Sequence, residues 1–456
     1  MAAMFSFQTV FLLFLMCSTV KSERIIIIGG GASGLAAASK LYQNGFENVT
    51  ILEANERLGG RMYSLPTSML TRNDQNGYLE MGAQWIHGQI GSPSYKIAFE
   101  NGLVDPEFTN NENIFLLMEN EENSDNWDLW NLWEIIEGEP ENKDIDPGIS
   151  MEQYILTHKN ATLYQNTSEG RQRFIRPFLD LYNRYQMTDS AAAWNNLSYK
   201  ANLDYEFPGG PEGADYTRFK ADHCYADLIK IILQDIPSDQ IHLNSPVSSI
   251  NYTNENVIQV GLVDGAIMEA DKVIFTGSLG TLKDQVVTFD PALPEEKQKA
   301  IELIGFGVSD KIFIEFDQPW LTREAQQDIS GISFMYPTAI EYNEIDAEED
   351  WTRFVSGIYP VAHHPTIAVL WIAGYGATKM ESLSEHQLRI DIDNLLRKFN
   401  PSMKPWTNAT QILTITVKMH GLFNSDFAFD YGFSRDQDGK VNHTSVVQVL
   451  FKILHQ

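Results

Sequence analysis

Residues 25–61 read IIIIGGGASGLAAASKLYQNGFENVTILEANERLGGR, and the reading of the whole fold hangs on them. Arg24–Ile28 is a β-branched run without alternation, the pattern of a strand buried on both faces of a parallel sheet. Gly29-x-Gly31-x-x-Gly34 follows at once, and Leu35 to Gln43, rich in Ala and Leu, reads as a helix. Val49–Glu53 is a second buried strand. Strand, glycine turn, helix and strand within about 30 residues form a dinucleotide-binding crossover, hence an α/β fold of Rossmann type. The first glycine allows the sharp turn. The second lets the backbone approach a pyrophosphate, and the third lets the helix lie close to the strand. The helix N-terminus offers unpaired N–H groups and a positive dipole end to phosphate, and Ser33 adds a hydroxyl donor. Glu53 closes the second strand, 19 residues after Gly34. A carboxylate there accepts both ribose hydroxyls of an adenosine and repels a 2′-phosphate, which argues against NADP.

The chain has 456 residues, enough for two or three domains and a large core. Its formal net charge of -28 argues against nucleic acid and anionic membranes as partners. Solvation of an acidic surface is the plain reading; attraction of polycations is the sharper one. Residues 1–22 carry an apolar run from Val10 to Cys17, with Val20 and Ser22 at the small positions of a cleavage site. That run is too short to span a bilayer, which takes roughly 20 residues. A signal peptide leaving Glu23 as the new N-terminus is expected, with secretion as the consequence and an uncleaved anchor in the secretory pathway as the alternative. Seven N-x-S/T sequons, at Asn48, Asn160, Asn166, Asn196, Asn251, Asn408 and Asn442, suit the secretory route. With Cys17 in the leader, only Cys224 remains, so no intrachain disulfide can form and Cys224 reads as a packed residue. No metal-ligand cluster is visible in the sequence.

Arg57-Leu-Gly59-Gly60-Arg61 continues directly from the acidic residue, adding a glycine pair and a cation suited to a pyrophosphate. EANERLGGR after such a crossover resembles the flavin-containing amine oxidase superfamily. EMGAQWIHG at residues 80–88 resembles the segment of polyamine oxidases that passes beside the flavin ring, in the His form found in animal spermine and acetylpolyamine oxidases. The resemblance implies FAD in a glutathione-reductase-like domain with an inserted α+β substrate-binding domain. It assigns Gly29, Gly31, Ser33, Gly34, Glu53, Ala54, Arg61, Gly82, Ala83, Gln84, Trp85 and Val247 to the cofactor, the last through its backbone at the adenine. Lys311, in the stretch KIF, matches the family lysine that holds a water against flavin N5, and His87 would hydrogen-bond the amine. The plain reading of Lys311 is a strand-end lysine turned to solvent.

The resemblance further implies that residues 23–103, 241–300 and 391–456 make the FAD-binding domain and that 104–240 and 301–390 make the substrate-binding domain. Residues 104–152 hold 15 Asp/Glu and one Lys, with Trp127, Trp130 and Trp133 on one helical face. That face is either core or an acidic, aromatic-lined approach for a cation. Residues 153–240 read mainly as helices and 241–289 as short strands with turns. Lys311–Phe316 reads as a strand, Trp371 as core, and YNEIDAEED as an exposed acidic loop. The resemblance runs from Arg24 to about Thr416. Beyond it the family's ring-closing elements, F-A-G-E-A-T and T-V-H-G-A, have no counterpart, the expectation for a truncated or alternatively spliced product.

The activity so implied is oxidation of a polycationic amine, spermine or an N-acetylated polyamine, with hydride passing to flavin N5 and electrons to dioxygen. Aldehyde, a shorter amine and hydrogen peroxide are the products. A non-catalytic secreted relative that binds polyamine or flavin is the alternative from another class, and a monoamine or L-amino-acid oxidase is the lesser one. The oligomeric state is not legible.

Overall fold

A computed structural model of the chain describes residues 23–67, 77–105, 114–119, 127–140, 144–204, 216–322, 329–399 and 412–415. The expected leader, the sequons at Asn408 and Asn442, and the end of the chain where the family resemblance stops lie outside the described residues. So do the side chains of Trp127 and Trp130. The described residues divide into two compact units, the smaller made of 23–60 and 229–295, the larger of the rest. Residues 61–103 cluster with the larger unit and 229–240 with the smaller.

The smaller unit is built on the strand Ile25–Ile28, buried at every position. It pairs in parallel with Val49–Leu52 on one side and Lys272–Phe275 on the other, with Ile25 opposite both Val49 and Lys272. Ile241–His242 extends the sheet beyond Val49–Leu52, also in parallel. The helix Ala32–Gln43 buries Gly34, Leu35, Ala38 and Ser39, one stripe of its surface, as 3.6-residue periodicity requires. A second sheet is made of Ile267–Ala270, Ile258–Leu262, Val247–Asn251 and Thr288–Asp290, in that order. The expected strand, helix, strand and short-strand assignments all hold to within a few residues.

The larger unit is organised by a six-stranded sheet in the order 412–415, 309–316, 364–373, 355–361, 331–335, 114–118. Only the last pair is parallel. Along the strand Ser309–Phe316, Ile312, Ile314 and Phe316 point into a core with Leu370, Ile372, Ile358 and Phe334. Lys311 and Phe313 alternate onto the other face. Phe313 there packs with Val369 and Trp371.

The helix Ile175–Ser190 is fastened to this sheet by Arg184, whose guanidinium donates to Val355 O at 2.8 Å and to Phe334 O, and pairs with Asp180 at 3.4 Å. Trp133, on the helix Trp127–Glu137, is half-buried and packs edge-on against Phe178 and Tyr182 at the margin of the core. The acidic stretch expected as a loop is instead a helix, Glu344–Asp350. Asn343 caps it, accepting from Asp346 N while the Asp346 carboxylate accepts from Asn343 N, and Ala347 is buried. A reciprocal cap and one buried contact outweigh the charge repulsion that made the stretch look unstructured. Among the described residues, no helix is long and apolar enough to cross a membrane.

Asp310 is 4% exposed, and neither of its carboxylate oxygens has a hydrogen-bond partner among the described residues. Burial, with the Glu381 charge adding to it, pushes its carboxyl up to about 7. The folded chain therefore keeps a proton that the unfolded chain releases near 3.8. The stability this proton brings is complete below pH ~4 and is lost as pH rises to about 7. Asp310→Asn is expected to raise the melting temperature by a few degrees at pH 8 and to leave it unchanged at pH 4, checked by thermal melts across that range.

Candidate active site

In the smaller unit the glycine turn closes tightly. Gly29 sits at φ +110, and a Cβ on Gly34 would lie 1.9 Å from Gly29 O, so the helix can approach the strand only without one. Gly31 caps the helix and makes no side-chain hydrogen bond, which leaves the first-turn N–H groups for a ligand. A Cβ on Gly31 would meet nothing nearer than Gly60 Cα at 3.9 Å, so the turn is open on that side. Glu53 is 6% exposed, and its carboxylate is aimed at the turn. One oxygen accepts from Gly30 N at 2.6 Å, and the other from Asn55 N at 2.9 Å and Asn55 Nδ2 at 2.7 Å. Ser245 N donates to Glu53 O at 2.8 Å, which brings the strand that starts with the buried Val247 alongside. Ser33 and Ala54 are exposed.

In the larger unit Arg61 is half-buried, and desolvation pulls its guanidinium down to about 10. Ala83 N donates to Arg61 O at 3.2 Å, and a Cβ on Gly82 would lie 1.8 Å from that same oxygen, so Arg61 and Gly82–Ala83 are held together. Lys311 does not face solvent. It is 4% exposed and donates to Glu80 O at 2.9 Å, Gly82 O at 2.6 Å and Gln84 Oε1 at 3.0 Å. Its ammonium lies 4.6 Å from the centre of the Trp371 ring, and Trp371 stacks on Trp85 at 6.1 Å. One lysine thus organises the whole EMGAQW segment.

Burial lowers Lys311 and raises Glu80, each toward its neutral form. The hydrogen bonds oppose this. Three oxygens take all three protons of an ammonium, and the Glu80 carboxylate accepts from Ser64 Oγ at 2.6 Å and Tyr225 N at 2.8 Å. The charged pair is the one this geometry satisfies. His87, paired through its strand with Tyr216, is exposed yet closely surrounded, and desolvation lowers its imidazole.

A second group of residues in this unit was only half visible in the sequence. Asp189 is accessible, yet the protein around it pushes its carboxyl up to about 6, with the charge of Glu137 contributing. Glu137 is likewise accessible, raised by burial, and accepts from Tyr182 OH at 3.2 Å. Trp133 stands edge-on to Tyr185 at 5.2 Å, and Tyr185 OH shares hydrogen bonds with Ser333 Oγ at 2.8 Å and Tyr359 OH at 3.2 Å. The signal for Asp189 was its spacing. Tyr182, Tyr185 and Asp189 recur at helical intervals, which places them along one helical face.

A family model described as flavin containing amine oxidoreductase matches residues 32–417. The chain belongs to that family. It is 27% identical to probable polyamine oxidase 5 of Arabidopsis thaliana, over 91% of this chain and 85% of that one. It is 26% identical to the human peroxisomal N(1)-acetyl-spermine/spermidine oxidase, over 82% of this chain and 77% of the relative. It is 25% identical to polyamine oxidase 1 of Oryza sativa subsp. japonica, over 85% and 80%. The protein is an FAD-dependent amine oxidase on a Rossmann-like α/β fold.

The smaller unit fits the adenosine end of FAD by its own geometry. The uncapped helix start, the open side of Gly31 and the inward carboxylate of Glu53 together suit a pyrophosphate and a ribose. Glu53→Gln keeps the shape and removes the charge from an acceptor of three donors. It is expected to weaken retention of FAD by about 10- to 100-fold, read as flavin absorbance left on the chain after dialysis against graded free FAD.

Proposed function

We propose that this flavin amine oxidase acts on polyamines, of the spermine or N-acetylated spermine type, and releases an aldehyde, a shorter amine and hydrogen peroxide. The observation that carries this reading is Glu137, which accepts from Tyr182 OH at 3.2 Å, with the accessible Asp189 one helical face along from Tyr182 and Tyr185 and within reach of the Glu137 charge. In this reading the two carboxylates hold two ammonium groups of one substrate by charge. A monoamine would leave one carboxylate desolvated and unpaired. Relatives named for polyamine oxidation support the same reading.

FAD, when bound, would supply the two-electron acceptor for oxidation of the carbon beside the amine nitrogen, with dioxygen as the final oxidant. The residues of the chain position and desolvate. Gly29, Gly31, Ser33, Gly34, Glu53, Ala54 and Val247 would hold the adenosine and the phosphates, and Arg61 would offer a cation. Gly82, Ala83, Gln84 and Trp85 would line the flavin ring. Lys311 fixes that segment and, on releasing one of its three contacts, orients a water. His87, kept neutral by desolvation, accepts a hydrogen bond from the amine. In this reading the larger unit contains the inserted substrate-binding domain.

Purified chain is expected to be yellow and to release peroxide on addition of spermine; loaded with flavin and silent toward spermine while active on a monoamine or an L-amino acid, it would refute the reading. Asp189→Asn is expected to raise KM for spermine about tenfold with little change for benzylamine. Below pH ~6 the Asp189 carboxyl takes up its proton, so KM for spermine in the unaltered chain should climb as the pH falls through that value, checked by initial rates from pH 5 to 8.

The leader and sequons further support a secreted glycoprotein. Asn48, Asn166 and Asn196 are exposed. Expression in a secretory host should deliver medium-borne protein that begins at Glu23 and shifts on endoglycosidase treatment. Retention inside the cell without a shift would count against it.

A further inference from the structure

The three oxygens around Lys311 differ in kind. Glu80 O and Gly82 O are main-chain carbonyls of a segment fixed by its own hydrogen bonds, with Met81 N bonded to Tyr63 O at 2.8 Å and Ala83 N to Arg61 O at 3.2 Å. Gln84 Oε1 is the end of a side chain that can rotate about its last bond. It also borders a recess lined by Tyr78, Glu80, Trp85, Phe313 and His364, so the amide has room to turn.

An ammonium has three protons and no lone pair, and the three oxygens match it. A neutral amine has two protons and one lone pair. It can keep both main-chain carbonyls but must then accept a hydrogen bond in the third direction. Glutamine can meet either demand, because its amide carries an acceptor and a donor at the two tips of one planar group.

We propose that Gln84 is the positioning residue of Lys311: its amide turns with the charge of the lysine, presenting Oε1 to the ammonium and Nε2–H to the neutral amine. With the amide in the first state, all three lysine protons are engaged and none is left for a water. In the second state the lone pair is shared between Gln84 and whatever water enters from the recess. Gln84 thereby sets both the pH at which the lysine changes charge and whether a water can reach it.

The other groups facing this lysine are Glu80, from the strand Tyr78–Glu80, with Tyr225, Cys224 and Asp227 around that carboxylate. Trp371 comes from the strand His364–Ala373, and Asp310, next along the strand of Lys311, points to the opposite face. Glu80 favours the charged lysine. Trp371 does so as well, through its ring.

The inference deepens the proposed function, since a role for the lysine in the reaction rests on that reading, but the link between Gln84 and Lys311 can be measured apart from activity. The full flavin-loaded chain is titrated while the emission of Trp371 is followed, taken as the difference from Trp371→Phe. Lys311→Met should abolish that titration and so assign it. Gln84→Met removes one acceptor of the ammonium and should move the midpoint down by about one pH unit, a tenfold change in the proton equilibrium. Gln84→Glu adds a charge beside the ammonium and should move it up by at least as much. Opposite shifts support the proposal; no shift, or two shifts in the same direction, overturns it. Should one variant fail to fold, the direction of the other decides.

The pH profile of kcat/KM for spermine, measured on the same proteins, should follow the emission midpoints. Midpoints that shift in emission and not in kcat/KM keep Gln84 as the partner of Lys311 and remove Lys311 from the reaction.

Discussion

The absence of a side chain at Gly34 is the constraint on which the nucleotide-binding unit depends. A single methyl there would collide with Gly29 O at 1.9 Å, so any other residue pushes the helix off the strand. Because the helix lies close, its uncapped N-terminus and the end of the strand Val49–Leu52 meet at one turn. Glu53 can then reach Gly30 N with a 2.6 Å hydrogen bond. Gly31 itself adjoins Gly59 and Gly60, and the side of the turn on which its Cβ would lie is open to phosphate. Phosphate recognition follows here from backbone spacing before any side chain acts.

The larger unit depends on how buried charge is satisfied. Arg184 and Lys311 both lie deep in it, and each spreads its protons over main-chain carbonyls in addition to an acidic neighbour or an aromatic ring. Such a cation is fixed in position by several weak partners, and it fixes them in return. Lys311 fastens the segment Glu80–Gln84 to the central sheet, and Arg184 fastens the helix that carries Asp189. Asp310 shows the opposite case. It is buried without a partner among the described residues, and only its proton makes that tolerable.

Acidity works on two scales in this chain. A net charge of -28 is spread over the surface and acts at long range on any polycation, subject to screening by salt. Asp189 and Glu137 act locally. Partial desolvation raises both carboxyls and strengthens whatever attraction they exert once a cation arrives. The total could be counted from composition, but which of 61 acidic residues act on one another could not.

The crossover, its glycines, Glu53 and the family were legible because each depends on neighbours close in sequence or on a long matching motif. Local chemistry was misread once, at Glu344–Asp350, where a reciprocal cap at Asn343 outweighed the charge. The sequence by itself determined the nucleotide turn, the strand that carries Lys311 and the packed state of Cys224 and Trp371. Only the tertiary structure decided that Lys311 points inward at three oxygens, that the Gln84 side chain supplies one of them, and that Asp189 lies within reach of the Glu137 charge. Those facts join residues 227, 229 and 52 positions apart, and no periodicity along a chain reports which distant side chains the packing of a sheet and its helices will bring face to face.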